Sequence, residues 1–191
     1  MNYAISNAQI FSQLFYLLSY KVRDDVIQIV DDIVAERDGL NPPDGWYSDF
    51  TTNFRSKDRF LPDDVEDQIT GAIKQILESA PIAPQGATAS FDLEYWFNSY
   101  AVGQEQEVHD HASAVLSGIW YLKGSPSDTV FLNPMNDYPF QPSCFNVSDD
   151  LLGHIIMFPS SCRHYVKASK GERLTIAFNA SNLVYLDANN A

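Results

Sequence analysis

His109 and His111 stand two residues apart in EVHDHASAVLSGIWYL (Glu107 to Leu122), at the mouth of a β-forming run from Ala114 to Leu122. In a strand, residues i and i+2 point to the same face, so the two imidazoles project together. A third histidine, His164, lies downstream, and Arg173 follows nine residues after it. Three imidazoles gathered on one triangular face hold a divalent metal and leave coordination positions open. Arginine supplies a planar fork that bonds both oxygens of a carboxylate. Thr175 shares the face of Arg173 and can donate its hydroxyl to the same carboxylate. Asn179 continues that alternation through 175 and 177 and is placed toward the same pocket. Asn98 lies on the strand before the histidine pair, where it either reaches a ligand or caps a strand end. Tyr121 either faces the pocket or packs in the core.

The ligand set has three readings. His109, His111 and His164 can form an all-histidine face, which strand parity favours. Asp110 can be a carboxylate ligand beside one histidine if the strand ends irregularly. His111 can instead stand outside the metal shell and hydrogen-bond a ligand or substrate. A neutral ligand set leaves more charge on the metal, which Asp110 or Glu107 can balance from outside. An HxH pair alone also suits zinc or copper. His154 has no partner at ligand spacing and reads as structural. Cys144 and Cys162 form no CxxC pair and no disulfide framework. Both are expected to be reduced thiols, with Cys162 close enough to His164 to share its face.

These residues need a scaffold. The 191 residues suffice for one domain with a proper core. A hydrophobic content of 45% argues against disorder. The net charge of −13 argues against non-specific binding to nucleic acid or anionic membrane. The N-terminus lacks the pattern of a signal peptide, and no apolar run approaches a membrane span; a cytoplasmic protein is expected. Part of Ala8 to Tyr20 reads as a buried strand, with a helix as the alternative. Arg23 to Asp38 carries a helical apolar stripe with acids in its first turn, closed by Gly39. Asn41 to Gly45 is a turn leading toward a strand through Phe54. Leu61-Pro62-Asp63-Asp64 opens a second helix, with Val65, Ile69, Ile73, Ile76 and Leu77 on its buried face.

From Phe91 the pattern turns to β. Strands are expected at 91–102, 114–122, 129–132, 154–158, 164–166, 173–178 and 183–186, separated by turns at Gly103, 124–126, 159–160 and 170–171. Short strands at this spacing imply an antiparallel sandwich or barrel. The segment 133–150, rich in Pro, Asn and Asp, reads as a lid or substrate loop. The chain is thus a single domain: residues 1–90 as α-rich support and 91–187 as a β catalytic core.

Several motifs in this order carry a resemblance. They are Trp96-Phe97-Asn98, Gly103, His109-Asp110-His111, Leu116-Ser117-Gly118-Ile119-Trp120-Tyr121-Leu122, Phe158-Pro159-Ser160, His164-Tyr165-Val166 and Glu172 to Asn179 (ERLTIAFN). Together they resemble a family of 2-oxoglutarate/Fe(II) oxygenases of phages and bacteria that runs W-x-N, H-x-H, L-S-G-x-Y-Y, F-P-S, H-x-V and R-I-S-I-A-F-N. Gly45-Trp46-Tyr47-Ser48 resembles the family's upstream G-W-x-S element. The match spans most of residues 45–180, and Trp120 replaces the first tyrosine of the Y-Y pair. The chain is also distantly similar to prolyl hydroxylases, whose H-x-D aligns with His109 and His111, so that a histidine stands where those enzymes carry a carboxylate.

The resemblance implies a mainly β fold, a double-stranded β-helix (jelly roll) with supporting N-terminal α-helices. It implies Fe(II), 2-oxoglutarate and O2 as cofactors, with ascorbate as an accessory. The metal would sit on His109, His111 and His164. Arg173 and Thr175 would anchor the far carboxylate, and Asn98 the keto-acid end. The implied reaction is hydroxylation of a peptide, a prolyl-type side chain or a small metabolite. Homodimers are common among such jelly rolls. The rival expectation is a jelly-roll metal-binding or interaction protein with a degenerate site and no 2-oxoglutarate turnover.

Overall fold

The computed structural model describes residues 4–10, 13–56, 58–133 and 144–186. In chain order they form β1 (Ile5–Ile10), β2 (Gln13–Leu18), α1 (Asp24–Glu36), β3 (Thr51–Thr52), α2 (Asp63–Glu78), β4 (Thr88–Tyr100), β5 (Gln106–His109), β6 (Leu116–Lys123), β7 (Thr129–Leu132), β8 (Cys144–Asn146), β9 (Ile155–Pro159), β10 (His164–Val166) and β11 (Arg173–Leu186). The strands make two antiparallel sheets. The larger has the order β1-β2-β9-β6-β11-β4-β3, and the smaller β5-β10-β7-β8. The last eight strands alternate between the sheets except at β7 and β8, which are neighbours in the smaller one, and this is the winding of a double-stranded β-helix, so the expected jelly roll is present.

Alternation along the large sheet divides the core in two. One face carries Tyr95, Phe97, Trp120, Leu122, Ile155, Met157, Leu174, Ile176 and Phe178, packed against Val26 and Val30 of α1 and the apolar stripe of α2. The other face carries Ile119, Tyr121, Ile156 and Phe158, packed with Phe131, Val147 and Cys162 from the smaller sheet's side. Alternate residues of β11 therefore serve two purposes: 174, 176 and 178 anchor the helices, while 173, 175, 177 and 179 face the space between the sheets.

Both helices form where the apolar stripes and first-turn acids place them. The first ends earlier than expected: Arg37 is already extended, and Gly39, at φ +79°, lies beyond the helix rather than capping it. The N-terminal support is also less purely helical than the sequence suggests. β1 and β2 form a hairpin whose second strand pairs with β9 and widens the large sheet. The expected strand through Phe54 shrinks to Thr51–Thr52, on the far edge beside β4. β11 absorbs two expected strands into one, with an irregularity between Ser181 and Val184. Most of the expected 133–150 loop lies outside the described residues.

One turn bears directly on the site. Gly124 follows β6 with φ +83°, and a Cβ there would meet the Glu172 carbonyl oxygen at 2.5 Å and the Arg173 Cα at 2.9 Å. Only glycine combines that conformation with so close an approach. Gly124→Ala is expected to destabilise the protein by at least about 1–3 kcal/mol, the range for a strained backbone position, as a shift of the urea midpoint. An unchanged midpoint would show that the start of β11 is not held by this turn.

Candidate active site

The three histidines come from two neighbouring strands. His109 ends β5 and His164 begins β10, and the two are directly paired across the ladder. His111 lies just past β5, with its backbone N–H donating to the Ser160 carbonyl at 2.8 Å. Potential ligand atoms of His109, His111 and His164 all lie within 4.8 Å of one another. Ring centroids are 4.2 Å apart for His109 and His164, 5.1 Å for His109 and His111, and 5.3 Å for His111 and His164. Of the readings open from the sequence, this arrangement favours the all-histidine face. Asp110 is exposed, and its carboxylate accepts from the Ala112 N–H at 3.2 Å, in a local turn outside the cluster.

The chemistry of the donors fits a metal. The Nδ1 atoms of His109 and His164 lie 2.9 Å and 3.0 Å from the carbonyls of Glu107 and Cys162, two residues upstream in each case. An Nδ1–H donated to a carbonyl leaves the Nε2 lone pair for a metal. Burial holds the imidazoles neutral. His164 titrates well below the ordinary range, through burial first and then repulsion from His109 and His111. His111 is pushed down to about 3 by burial and by His109, and His109 is lowered by burial. At neutral pH all three imidazoles are uncharged.

Arg173 opens onto the same cavity, which His109, His111, His164, Asn98 and Thr175 also line. Its side chain is only 2% exposed. Among the described residues no carboxylate pairs with it. Nη2 donates to Thr129 Oγ1 at 2.6 Å, while Nε and Nη1 have no hydrogen-bond partner. The guanidinium lies 5.1 Å from the Tyr100 ring centre and 5.7 Å from that of Tyr121, contacts that soften its burial without satisfying its N–H groups. A buried cation with two orphaned donors suits an anionic partner.

The other expected residues take distinct places. Thr175 and Asn98 sit opposite each other on β11 and β4. Tyr121 is fully buried in the wall beside Arg173, its hydroxyl without a hydrogen-bond partner. Asn179 stands behind His111, with its amide nitrogen 3.5 Å from His111 Nδ1. Cys162 packs in the inter-sheet core, and burial pushes its thiol up to about 11, so its sulfur is an inert filler. His154 sits apart, its Nδ1 3.2 Å from the Leu152 carbonyl.

Three contributors went unseen in the sequence. Gln106 lines the cavity with His109, three residues away. Strict alternation forbids that, but β5 bulges: His109 pairs with His164 and Gln106 with Val166, so three steps on one strand match two on the other. Gln106 accepts from the Tyr100 hydroxyl at 2.8 Å, and its amide nitrogen lies 3.5 Å from His109 Nε2. Thr129 carried no signal beyond its place at a strand start. The third is an aromatic cover: Trp46 lies 5.6 Å from His109, Phe54 6.0 Å from Trp46 and 5.0 Å from Trp96, and Trp96 5.7 Å from His111. Glu107 holds Trp46 there by accepting from the Tyr47 N–H at 3.1 Å and from the Ser48 hydroxyl.

No family profile matches the chain, and no curated protein matches its sequence. Solved structures do match. A prolyl-4-hydroxylase from Pseudomonas putida is 18% identical, over 87% of this chain and 91% of that one, with a TM-score of 0.56. A prolyl hydroxylase from Trichoplax adhaerens, in complex with a hypoxia inducible factor oxygen degradation domain peptide fragment, is 11% identical over 88% and 83%, with a TM-score of 0.59. HygX from Streptomyces hygroscopicus, with nickel, 2-oxoglutarate and hygromycin B bound, is 11% identical over 91% and 83%, with a TM-score of 0.55. The chain therefore has the double-stranded β-helix fold of the prolyl hydroxylases and HygX, the fold expected of a 2-oxoglutarate/Fe(II) oxygenase.

Proposed function

We propose that this protein is an Fe(II)- and 2-oxoglutarate-dependent oxygenase that hydroxylates a C–H bond of a peptide, such as a prolyl-type side chain, or of a small metabolite. The observation that carries this reading is Arg173: a buried guanidinium with two unpartnered nitrogens, opening onto the cavity that three neutral imidazoles line. A metal site with no anionic co-substrate has no use for such a cation, which counts against the rival reading of a degenerate metal-binding or interaction protein.

In this reading His109, His111 and His164 hold Fe(II). Arg173 Nε and Nη1, with the Thr175 hydroxyl, take the far carboxylate of 2-oxoglutarate. Thr129 keeps the guanidinium oriented from behind, and Asn98 and Gln106 line the rest of the cavity. When bound, the iron and 2-oxoglutarate supply the oxidation: O2 is consumed, 2-oxoglutarate loses CO2 to give succinate, and one oxygen atom enters the substrate C–H bond. The protein contributes neutral donors, a fixed cation and a cavity shielded by Trp46, Phe54 and Trp96. One of the similar structures holds a peptide and another hygromycin B, so both substrate classes stand.

The test is an anaerobic titration of metal-free protein with Fe(II) and then 2-oxoglutarate. The expected result is a weak visible charge-transfer band that needs both components. Iron bound without any band on adding 2-oxoglutarate would overturn the proposal and leave the metal-binding reading.

A further inference from the structure

His111 differs from the other two histidines in how its second nitrogen is held. His109 and His164 each have a carbonyl on Nδ1, which fixes the proton there and leaves the lone pair on Nε2, with the Gln106 amide nitrogen 3.5 Å from that of His109. Nδ1 of His111 faces the Asn179 side-chain amide instead, with Nδ2 at 3.5 Å. With the amide nitrogen on that side, Nδ1 would accept and the proton of the neutral ring would sit on Nε2. An imidazole so arranged offers the metal no free nitrogen.

Asn179 is not isolated. Its Oδ1 lies 2.7 Å from the Ser117 hydroxyl, which in turn lies 2.9 Å from the hydroxyl of Ser160. All three residues are buried. Ser117 has one proton for two acceptors, so the chain has two self-consistent settings. In the first, Ser117 donates to Asn179 Oδ1, Asn179 donates to His111 Nδ1, and the His111 proton is on Nε2. In the second, the carboxamide is turned by half a rotation. Ser117 then donates to Ser160, Asn179 Nδ2 donates to Ser117, and Asn179 Oδ1 accepts the His111 Nδ1–H. Only this second setting leaves His111 Nε2 free.

We infer that Asn179, with Ser117 and Ser160 behind it, is the positioning residue that selects the tautomer of His111 and so decides whether the third ligand is available. This rests on the metal site proposed above. A metal on His111 Nε2 would require the amide in its second setting, while the other two ligands would stay pre-set by their own backbone carbonyls. Asn179 would thereby act on the metal through His111, from behind the residues that line the cavity.

The experiment uses the full chain and has two readouts, neither of them turnover. The first is the imidazole tautomer of His111 in metal-free protein, read from long-range ¹⁵N–¹H correlations at neutral pH. The parent is expected to show the Nε2–H form. Asn179→Asp places an acceptor-only group beside Nδ1 and is expected to show the Nδ1–H form. The second readout is Co(II) affinity, from its visible d–d bands in competition with a chelator. Asn179→Leu is expected to weaken Co(II) binding roughly 10- to 100-fold, the usual effect of removing a group that orients a ligand. Asn179→Asp is expected to bind at least as tightly as the parent, a rescue that a merely space-filling role for Asn179 would not produce. Asn179→Leu binding as tightly as the parent overturns the inference, as does Asn179→Asp with His111 still in the Nε2–H form. Should Asn179→Leu fail to fold, the tautomer and affinity of Asn179→Asp decide alone. A parent protein that binds no Co(II) overturns this inference together with the metal site on which it rests.

Discussion

Arg173→Met is expected to abolish 2-oxoglutarate binding while leaving the metal-free protein at least as stable as the parent. The two effects have one cause. In the absence of an anion, Arg173 is a desolvated cation with a single hydrogen bond, to Thr129, and two nitrogens unpartnered. The faces of Tyr100 and Tyr121 return part of the lost hydration, about 2 kcal/mol each for a desolvated contact. Replacing buried ionic groups by apolar ones of similar volume is often neutral or stabilising by about 1–4 kcal/mol. Methionine fills most of the arginine's volume and adapts to the gap. Unfolding in urea without metal or ligand should therefore show no loss, and a gain of up to about 4 kcal/mol. The co-substrate side moves the other way. Removing one partner of a buried charge pair costs about 2–5 kcal/mol, roughly 30- to several-thousand-fold in affinity. The charge-transfer band should be lost at 2-oxoglutarate concentrations that saturate the parent, and the thermal shift from added 2-oxoglutarate should vanish. Arg173→Lys keeps the charge but not the fork, so it should fall between. A destabilised Arg173→Met that still bound 2-oxoglutarate would mean the guanidinium is a structural group.

Much of this site was legible because its residues obey the period of a strand. His109 and His111 share a face, His164 returns beside them, and Arg173, Thr175 and Asn179 follow parity along a strand whose other face is continuously apolar. Parity failed where the backbone departs from it. Gln106 reaches the cavity only because β5 bulges, and nothing in QEVH announces a bulge. Asp110 could not be set aside until its local turn was seen. Trp46 and Phe54 stand in an irregular segment, where side-chain direction follows no period, and their approach to the histidines depends on a contact with Glu107 some sixty positions away. Tyr121 illustrates a third limit. Its place opposite Thr175 in the ladder gives its face, but whether it borders the cavity or lies in the wall beside Arg173 depends on depth, which sequence does not encode.

His164→Leu is expected to remove metal binding without unfolding the protein, and to change how its stability depends on pH. His164 is 3% exposed and sits between the rings of Phe131, at 5.5 Å, and Phe158, at 5.1 Å. Leucine suits that apolar setting and removes the need to bury an imidazole, so melting at pH 7.5 should be near the parent's. Removing a ligand outright should exceed the loss from disturbing a group that merely orients one, and hence weaken Co(II) binding by more than about 100-fold. The pH effect follows from linkage. In the folded protein His164 resists protonation well below 6.5, because of burial and then the neighbouring His109 and His111, whereas in the unfolded chain it takes up a proton near 6.5. Below about 6.5 the unfolded state thus binds more protons, and the metal-free parent loses stability as the pH falls, by up to about 1.4 kcal/mol per pH unit for this one group. Above that pH the contribution is constant. Urea midpoints of the two metal-free proteins, measured from pH 7.5 down to 5, should therefore lie close together above about 6.5 and separate below it, the parent falling faster. Curves that stay parallel throughout would mean that folded His164 accepts a proton as readily as the unfolded chain does, and it would then be no ready-made neutral ligand at neutral pH.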